Sequence, residues 1–190
     1  ALVLLSAPVS EPVTVSEAKE HLRLDGSAED VLVASLILTS RLHIEAALGV
    51  ALINQAWTLR LDKWPACNEV AIPMSPLQGI TAVRVKDAAG VSSVVPSTRY
   101  LVDIASRPPR LVWNSGPRPD PGLPAAGIDI DFMAGFGATA DSVPAPLRHA
   151  LLLLVAHWYE HRESIEIGSP STRIPDVVSD LIQPFRKIRL

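Results

Sequence analysis

The apolar residues recur at helical spacing near both ends of the chain, and the stretch between changes to the alternation of strands. Thr14-Val15-Ser16-Glu17 has the form of a capping box, in which the Thr14 hydroxyl accepts from the Glu17 amide and Glu17 reaches back. A short helix is predicted from there to about residue 24, with Ala18, His21 and Leu22 near one face, until Asp25-Gly26-Ser27 breaks it. A second helix is predicted over about 28–48, closed by Gly49, a residue suited to the left-handed conformation past a helix end. Its apolar side chains cover most of the circumference. A helix apolar nearly all round is buried on more than one side. We therefore expect Val33, Leu36, Ile37 and Ile44 to lie at an interface between subunits.

In the middle, Trp57, Leu59 and Leu61 alternate with Thr58, Arg60 and Asp62, the pattern of a half-buried strand. Further short strands are predicted at 69–72, 80–86, 91–95, 100–104, 110–113 and 128–133, with a hairpin connection at Asp87-Ala88-Ala89-Gly90. Pro117 to Gly127 reads as a long exposed loop. Helical spacing returns at about 145–162, through Leu147, Ala150, Leu151, Leu154 and Trp158. A flexible link at 163–173, a short helix at 175–183 and an arm ending Phe185-Arg186-Lys187-Ile188-Arg189-Leu190 complete the chain. The fold class expected is α+β: a helical bundle with an inserted small antiparallel β-sandwich or barrel and a C-terminal arm. The divisions are 1–49 (N-terminal helices), 50–137 (β-rich insertion), 138–163 (long helix completing the bundle) and 164–190 (link and docking arm).

Composition narrows the classes. Hydrophobic residues make up 48% of the 190, enough to offset chain entropy, so the chain is not disordered as a whole. Charged residues are only 19%, below the ~25% of soluble domains, which points to surface covered by other chains. A net charge of −3 argues against a broad basic surface for nucleic acid. Cys67 is the single cysteine, which excludes an intramolecular disulfide and a multi-cysteine zinc site. The start, ALVLLSAPVS, resembles part of a signal peptide but has no basic leading segment. The apolar runs fall short of the ~20 residues that span a bilayer. The expectation is a soluble protein made in the cytosol, with no membrane partner.

Candidate chemistry is sparse. His157-Trp158-Tyr159-Glu160-His161 matches the inverted zinc-peptidase pattern, with His157 and His161 on one helix face as ligands and Glu160 to activate water. Such a site needs a third protein ligand, and after His161 the only carboxylates are Glu163, Glu166, Asp176 and Asp180. A polar helix end, with His161 and Arg162 against the negative dipole, accounts for the same residues. Asp129 and Asp131 share one side of a strand and read as its solvated face. Cys67 has no histidine nearby in sequence to activate it. No cofactor is called for. In the final segment Phe185, Ile188 and Leu190 are candidate apolar anchors, and Arg186, Lys187 and Arg189 suit an acidic partner.

The order of these segments resembles a known family. It runs through Val13-Thr14-Val15-Ser16-Glu17-Ala18-Lys19-Glu20-His21-Leu22-Arg23-Leu24, Ile44-Glu45-Ala46, Leu52-Ile53-Asn54-Gln55-Ala56-Trp57 and Leu61-Asp62-Lys63-Trp64-Pro65. It continues with Pro76-Leu77, Ile80-Thr81-Ala82-Val83, Ala134-Gly135-Phe136-Gly137, Val143-Pro144 and His157-Trp158-Tyr159-Glu160-His161-Arg162-Glu163. Ile174-Pro175 through Leu181, then Pro184, Phe185, Arg186 and Leu190, close the series. The family is that of the head–tail connectors, or adaptors, of long-tailed phages and phage-like gene transfer agents. The resemblance implies a structural virion protein, not an enzyme. Its members form a ring, usually twelvefold, beneath the portal, prolong the DNA channel and carry the stopper or tail-completion protein. Assembly in the bacterial host cytoplasm, a place in the particle neck and DNA passage without sequence-specific binding follow. On that view Pro184, Phe185, Arg186, Lys187, Ile188, Arg189 and Leu190 dock on the portal, and Asp129 and Asp131 are candidates for an acidic channel wall. The alternative is a zinc-dependent hydrolase using the helix with His157 and His161.

Overall fold

The computed structural model describes residues 1–114, 116–161 and 174–186. The chain forms two compact units, each assembled from separate pieces of sequence. It is a mixed helix and sheet protein, and its sheets are antiparallel.

The first unit joins Ala1–Pro8 to Asn54–Phe136. Its larger sheet holds β1 (Leu2–Ser6), β2 (Gln55–Leu61), β8 (Ile128–Ala134), β4 (Leu77–Lys86) and β5 (Ser92–Val94), in that spatial order. The smaller sheet is β3 (Glu69–Ala71), β7 (Arg110–Trp113) and β6 (Tyr100–Asp103). In the centre of the larger sheet, Leu59 lies opposite Ile130, which lies opposite Val83 on the other side. Leu59, Val83, Ile128, Ile130 and Phe132 are buried, so the alternation in the sequence does mark the core face. The 87–90 connection is a tight turn closed by the Asp87 carboxylate, which accepts from the Ala89 and Val91 amides.

The second unit is Val9–Ile53 with the described residues from Gly137 onward. Helix α1 (Val15–Leu22) starts with the expected capping box: Glu17 N donates to Thr14 Oγ1 at 3.1 Å and Thr14 N donates to Glu17 Oε2 at 2.7 Å. It ends at Arg23 in the left-handed conformation, φ 57°. Helix α2 (Asp30–Leu48) ends on Gly49, φ 66°, whose amide donates to the Glu45 carbonyl. Helix α3 (Ala145–Glu160) packs against α2 and α4 (Asp176–Ile182). Its core side is Leu147, Ala150, Leu151, Leu154 and Val155.

Two expectations need correction. The first residues are strand β1, paired in register with β2 from Leu2 opposite Leu59 to Leu4 opposite Trp57. Residues 50–53, placed by sequence in the β-rich insertion, belong to the helical unit, where Val50, Ala51, Leu52 and Ile53 are buried. The 117–127 segment is a loop with exposed residues, as expected, and it is tied down along its length. Trp64 Nε1 donates to the Pro119 carbonyl at 2.8 Å, Arg99 to that of Pro117 at 2.8 Å, and Arg118 donates back to Pro65 at 2.8 Å and Cys67 at 2.9 Å. A proline-rich segment has few amides to offer, so side chains from outside it supply the donors.

Candidate functional surfaces

Asp129 and Asp131 do point to the same side of β8, but they are not a solvated face. They are 5% and 7% exposed. Arg60 on β2 and Lys86 on β4 each reach Asp129 at 2.8 Å. Arg84 pairs with Asp131, and Thr58 donates to it at 2.6 Å. Burial disfavours ionisation of Asp129, yet the hydrogen bonds from Lys86 and Arg60 outweigh it and hold the carboxyl below the ordinary carboxylate range. The three cations stand over the two carboxylates, with Arg60 and Arg84 each more than a third exposed. This side of the sheet therefore presents positive charge outward and hides its negative charge. The assignment of Asp129 and Asp131 to an acidic channel wall is corrected accordingly.

The interface assignment on α2 also changes. Val33, Ile37 and Ile44 are buried in the helical unit's own core, and Leu36 is half-buried. The outward stripe is Val31, Ser35, Leu38, Leu42 and Ala46, with Val31 86%, Leu42 52% and Leu38 42% exposed. These positions recur every three or four residues and so share one helix face. Inside, Arg41 and Glu45 form a buried pair at 2.8 Å, and Glu45 Oε1 accepts from the Leu52 amide at 2.9 Å. Sequence reasoning passed over this pair, although its spacing of four residues was the available signal.

The His157 and His161 rings lie side by side, centroids 4.6 Å apart and tilted by 39°, and His161 Nδ1 lies 2.8 Å from the His157 carbonyl oxygen. Among the described residues no group of three or more His, Cys, Asp or Glu gathers as a metal site would require. Glu163 and Glu166 lie outside the described residues. Cys67 is exposed, its thiol 3.3 Å from the Glu69 carbonyl oxygen. A cavity of about 400 Å³ lies beside Trp64, lined by Lys63, Pro65, Arg118 and Asp120 among others.

At the C-terminal end, α4 is seated on α3 through buried Val178 and Ile182. Helix α4, which the sequence division grouped with the link and docking arm, thus packs in the helical unit, and the one-turn helix Gln183–Phe185 follows it. Pro184 and Arg186 are exposed and Phe185 half-buried. Lys187, Ile188, Arg189 and Leu190 lie outside the described residues, as does the expected link.

No protein-family model matches the chain, and no curated protein matches it. Solved structures do. A chain in the neck of an empty GTA particle, computed with C6 symmetry, is 30% identical, with a TM-score of 0.86 over 100% of this chain and 97% of that one. The chain belongs to the neck proteins of gene transfer agents. A chain from the virion of a native gene transfer agent particle is also 30% identical, with a TM-score of 0.83, covering 100% of this neck protein and 96% of that chain. A third, from the neck of a native particle computed with C12 symmetry, is 29% identical, with a TM-score of 0.80 over 100% and 97%. This neck protein therefore shares its whole length with structural components of a virion. The gene transfer agent part of the sequence resemblance, and the place in the neck, are borne out.

Proposed function

We propose that this neck protein is the adaptor subunit: a structural, non-enzymatic protein that forms a ring beneath the portal, extends the DNA channel and carries the stopper or tail-completion protein. The observation that carries the reading is the full-length likeness to neck chains imaged with sixfold and twelvefold symmetry. Rings are built from heterologous contacts, so each copy needs two unlike surfaces that complement one another. The outward stripe of α2 suits one of them. It carries no charged residue and leaves Val31, Leu38 and Leu42 in water. Charge-poor, apolar patches of this kind mark contacts between chains. The segment from Pro184 through Phe185, Arg186, Lys187, Ile188, Arg189 to Leu190 docks on the portal, with apolar anchors and basic side chains for an acidic rim. The likeness to virion neck chains favours this reading over the zinc hydrolase.

Deleting the gene and imaging the resulting particles tests the reading. DNA-filled heads without tails, restored by the supplied protein, are expected. Particles with normal necks and tails would overturn it.

A further inference from the structure

Strand β1 forms an edge that lacks the usual protection. It ends the larger sheet, paired with β2 on its one side. Leu2, Val3, Leu4 and Leu5 are all exposed, Leu5 by 56%. There is no charge, proline or glycine among them, and the register shift comes only between Leu4 and Ser6. Proteins usually guard such edges with lysine, proline or a bulge, because open main-chain groups recruit another strand. Which groups are open follows from the ladder. Ala1 and Arg60 exchange both main-chain hydrogen bonds, each at 2.7 Å. By antiparallel alternation Val3 also faces β2, while Leu2 and Leu4 turn their N–H and C=O outward.

We propose that in the ring β1 is completed by β6 of the adjacent copy, joining the larger sheet of one subunit to the smaller sheet of the next. The inference rests on the ring reading above and names one of its contacts. A cyclic ring relates neighbours head to tail, so β1 cannot meet a second β1 across a twofold axis. Among the described residues the other sheet ends are β5, β3 and β6. Strand β5 lies four strand steps from β1, and at the usual twist it is turned by roughly 80–100°. One step of a twelvefold ring, the number the sequence resemblance implies, turns any direction by no more than about 30°, so in such a ring the β1 of the next copy cannot align with it. Strand β3 is three residues long and its exposed residues are Glu69 and Ala71, so it offers an incoming strand no large apolar side chain.

Strand β6 fits. Leu101 and the following Ile104 are exposed and apolar. The charge of Asp103 is already matched by Arg110 at 3.1 Å. The Asn114 amide donates to the Arg99 carbonyl at 2.9 Å, so alternation from that pair turns the main-chain groups of Tyr100 and Val102 to the open side. Each edge thus offers outward groups from alternate residues, Leu2 and Leu4 on one and Tyr100 and Val102 on the other. The repeat is the same on both, about 6.6–6.8 Å.

The test uses the full chain with Leu4→Lys or Leu101→Lys, and reads assembly by native mass spectrometry against concentration. Both positions are exposed, and circular dichroism checks folding; Leu2→Lys replaces Leu4→Lys if that variant fails to fold, and Ile104→Lys replaces Leu101→Lys. Each substitution alone should raise the concentration needed for rings about tenfold or more. A mixture of the two should give heterodimers that stop at two copies, because only one intact β1 and one intact β6 remain to meet. Rings formed by both variants as by the unsubstituted chain would overturn the edge pairing and leave the ring reading standing. Loss with Leu4→Lys but not with Leu101→Lys would overturn β6 as the partner. An unsubstituted chain that never assembles would overturn the ring reading, and this contact with it.

Discussion

Replacing Arg41 with methionine should cost the helical unit about 3 kcal/mol. Arg41 Nη1 is 2.8 Å from Glu45 Oε2, one turn further along α2, and its Nε is 2.7 Å from Glu11 Oε2. An exposed pair of this kind would be worth no more than about 1 kcal/mol. This one is buried on both sides. Methionine fills much of the arginine stem but leaves the Glu45 carboxylate deprived of its cation, and breaking a buried pair from one side costs about 3–5 kcal/mol. The Leu52 amide still reaches Glu45 at 2.9 Å, which holds the loss near the lower end. Glu11 is about a third exposed and rehydrates at little cost. Pairing Arg41→Met with Glu45→Gln keeps an acceptor for the Leu52 amide while removing both charges, so it should recover most of the loss. Urea unfolding followed by the helical circular dichroism signal gives the readout. With a slope of about 1–3 kcal/mol per molar, the single variant should lower the midpoint by roughly 1–3 M. A midpoint within ~0.3 M of the parent would refute the reasoning.

Three further outcomes are expected. Asp129 is held below the ordinary carboxylate range in the fold, so its ionisation favours the folded state. That contribution is complete above its unfolded value of about 4 and is lost as pH falls through its lower folded value; acid titration of Asp129→Asn should therefore fall less steeply below about pH 4 than the parent, and parallel curves would contradict this. Leu38→Asp should leave the melting temperature of the chain nearly unchanged and prevent assembly in native mass spectrometry, because Leu38 is 42% exposed on the α2 stripe; unaltered rings would remove that stripe from the interface. Deleting residues 184–190 should leave the seating of Val178 and Ile182 intact while ending attachment to DNA-filled heads, and normal particle yield with the shortened protein would disprove the docking role.

What the sequence made legible was local. The capping box at Thr14 and Glu17 and the Gly49 helix end are each set within a few residues, and both stand as expected. The apolar face of β2 and β8 was equally visible, because alternation needs no knowledge of the partner strand. The errors came from distance. Nothing near Asp129 in sequence shows that Arg60, 69 residues away, will cover it. An alternation read as polar outside and apolar inside cannot separate a solvated carboxylate from one capped by cations on flanking strands. Strand β1 was missed for the opposite reason: an edge exposed on both sides has no period to detect. On α2 the apolar residues were identified, but the side facing the core was set by α1 and α3, and no property of α2 alone distinguishes Val33 from Val31.

The discontinuity of both units has a consequence for how the protein is made. Strand β1 waits for β2, whose partner positions lie 50 to 57 residues later, and β2 for β8, whose partner positions lie 67 to 79 residues further on. The helical unit likewise needs α3, which starts at Ala145, to cover the core side of α2. Neither unit can close while the ribosome is still making the first two-thirds of the chain. Contacts of such long sequence separation slow folding, because loop entropy is spent before any pairing offsets it. Until then the uncharged α2 stripe and the four apolar residues of β1 are exposed together on an incomplete chain. The period of greatest exposure to wrong association therefore falls during synthesis, and production of this neck protein should depend on chaperone supply more than its finished size would suggest.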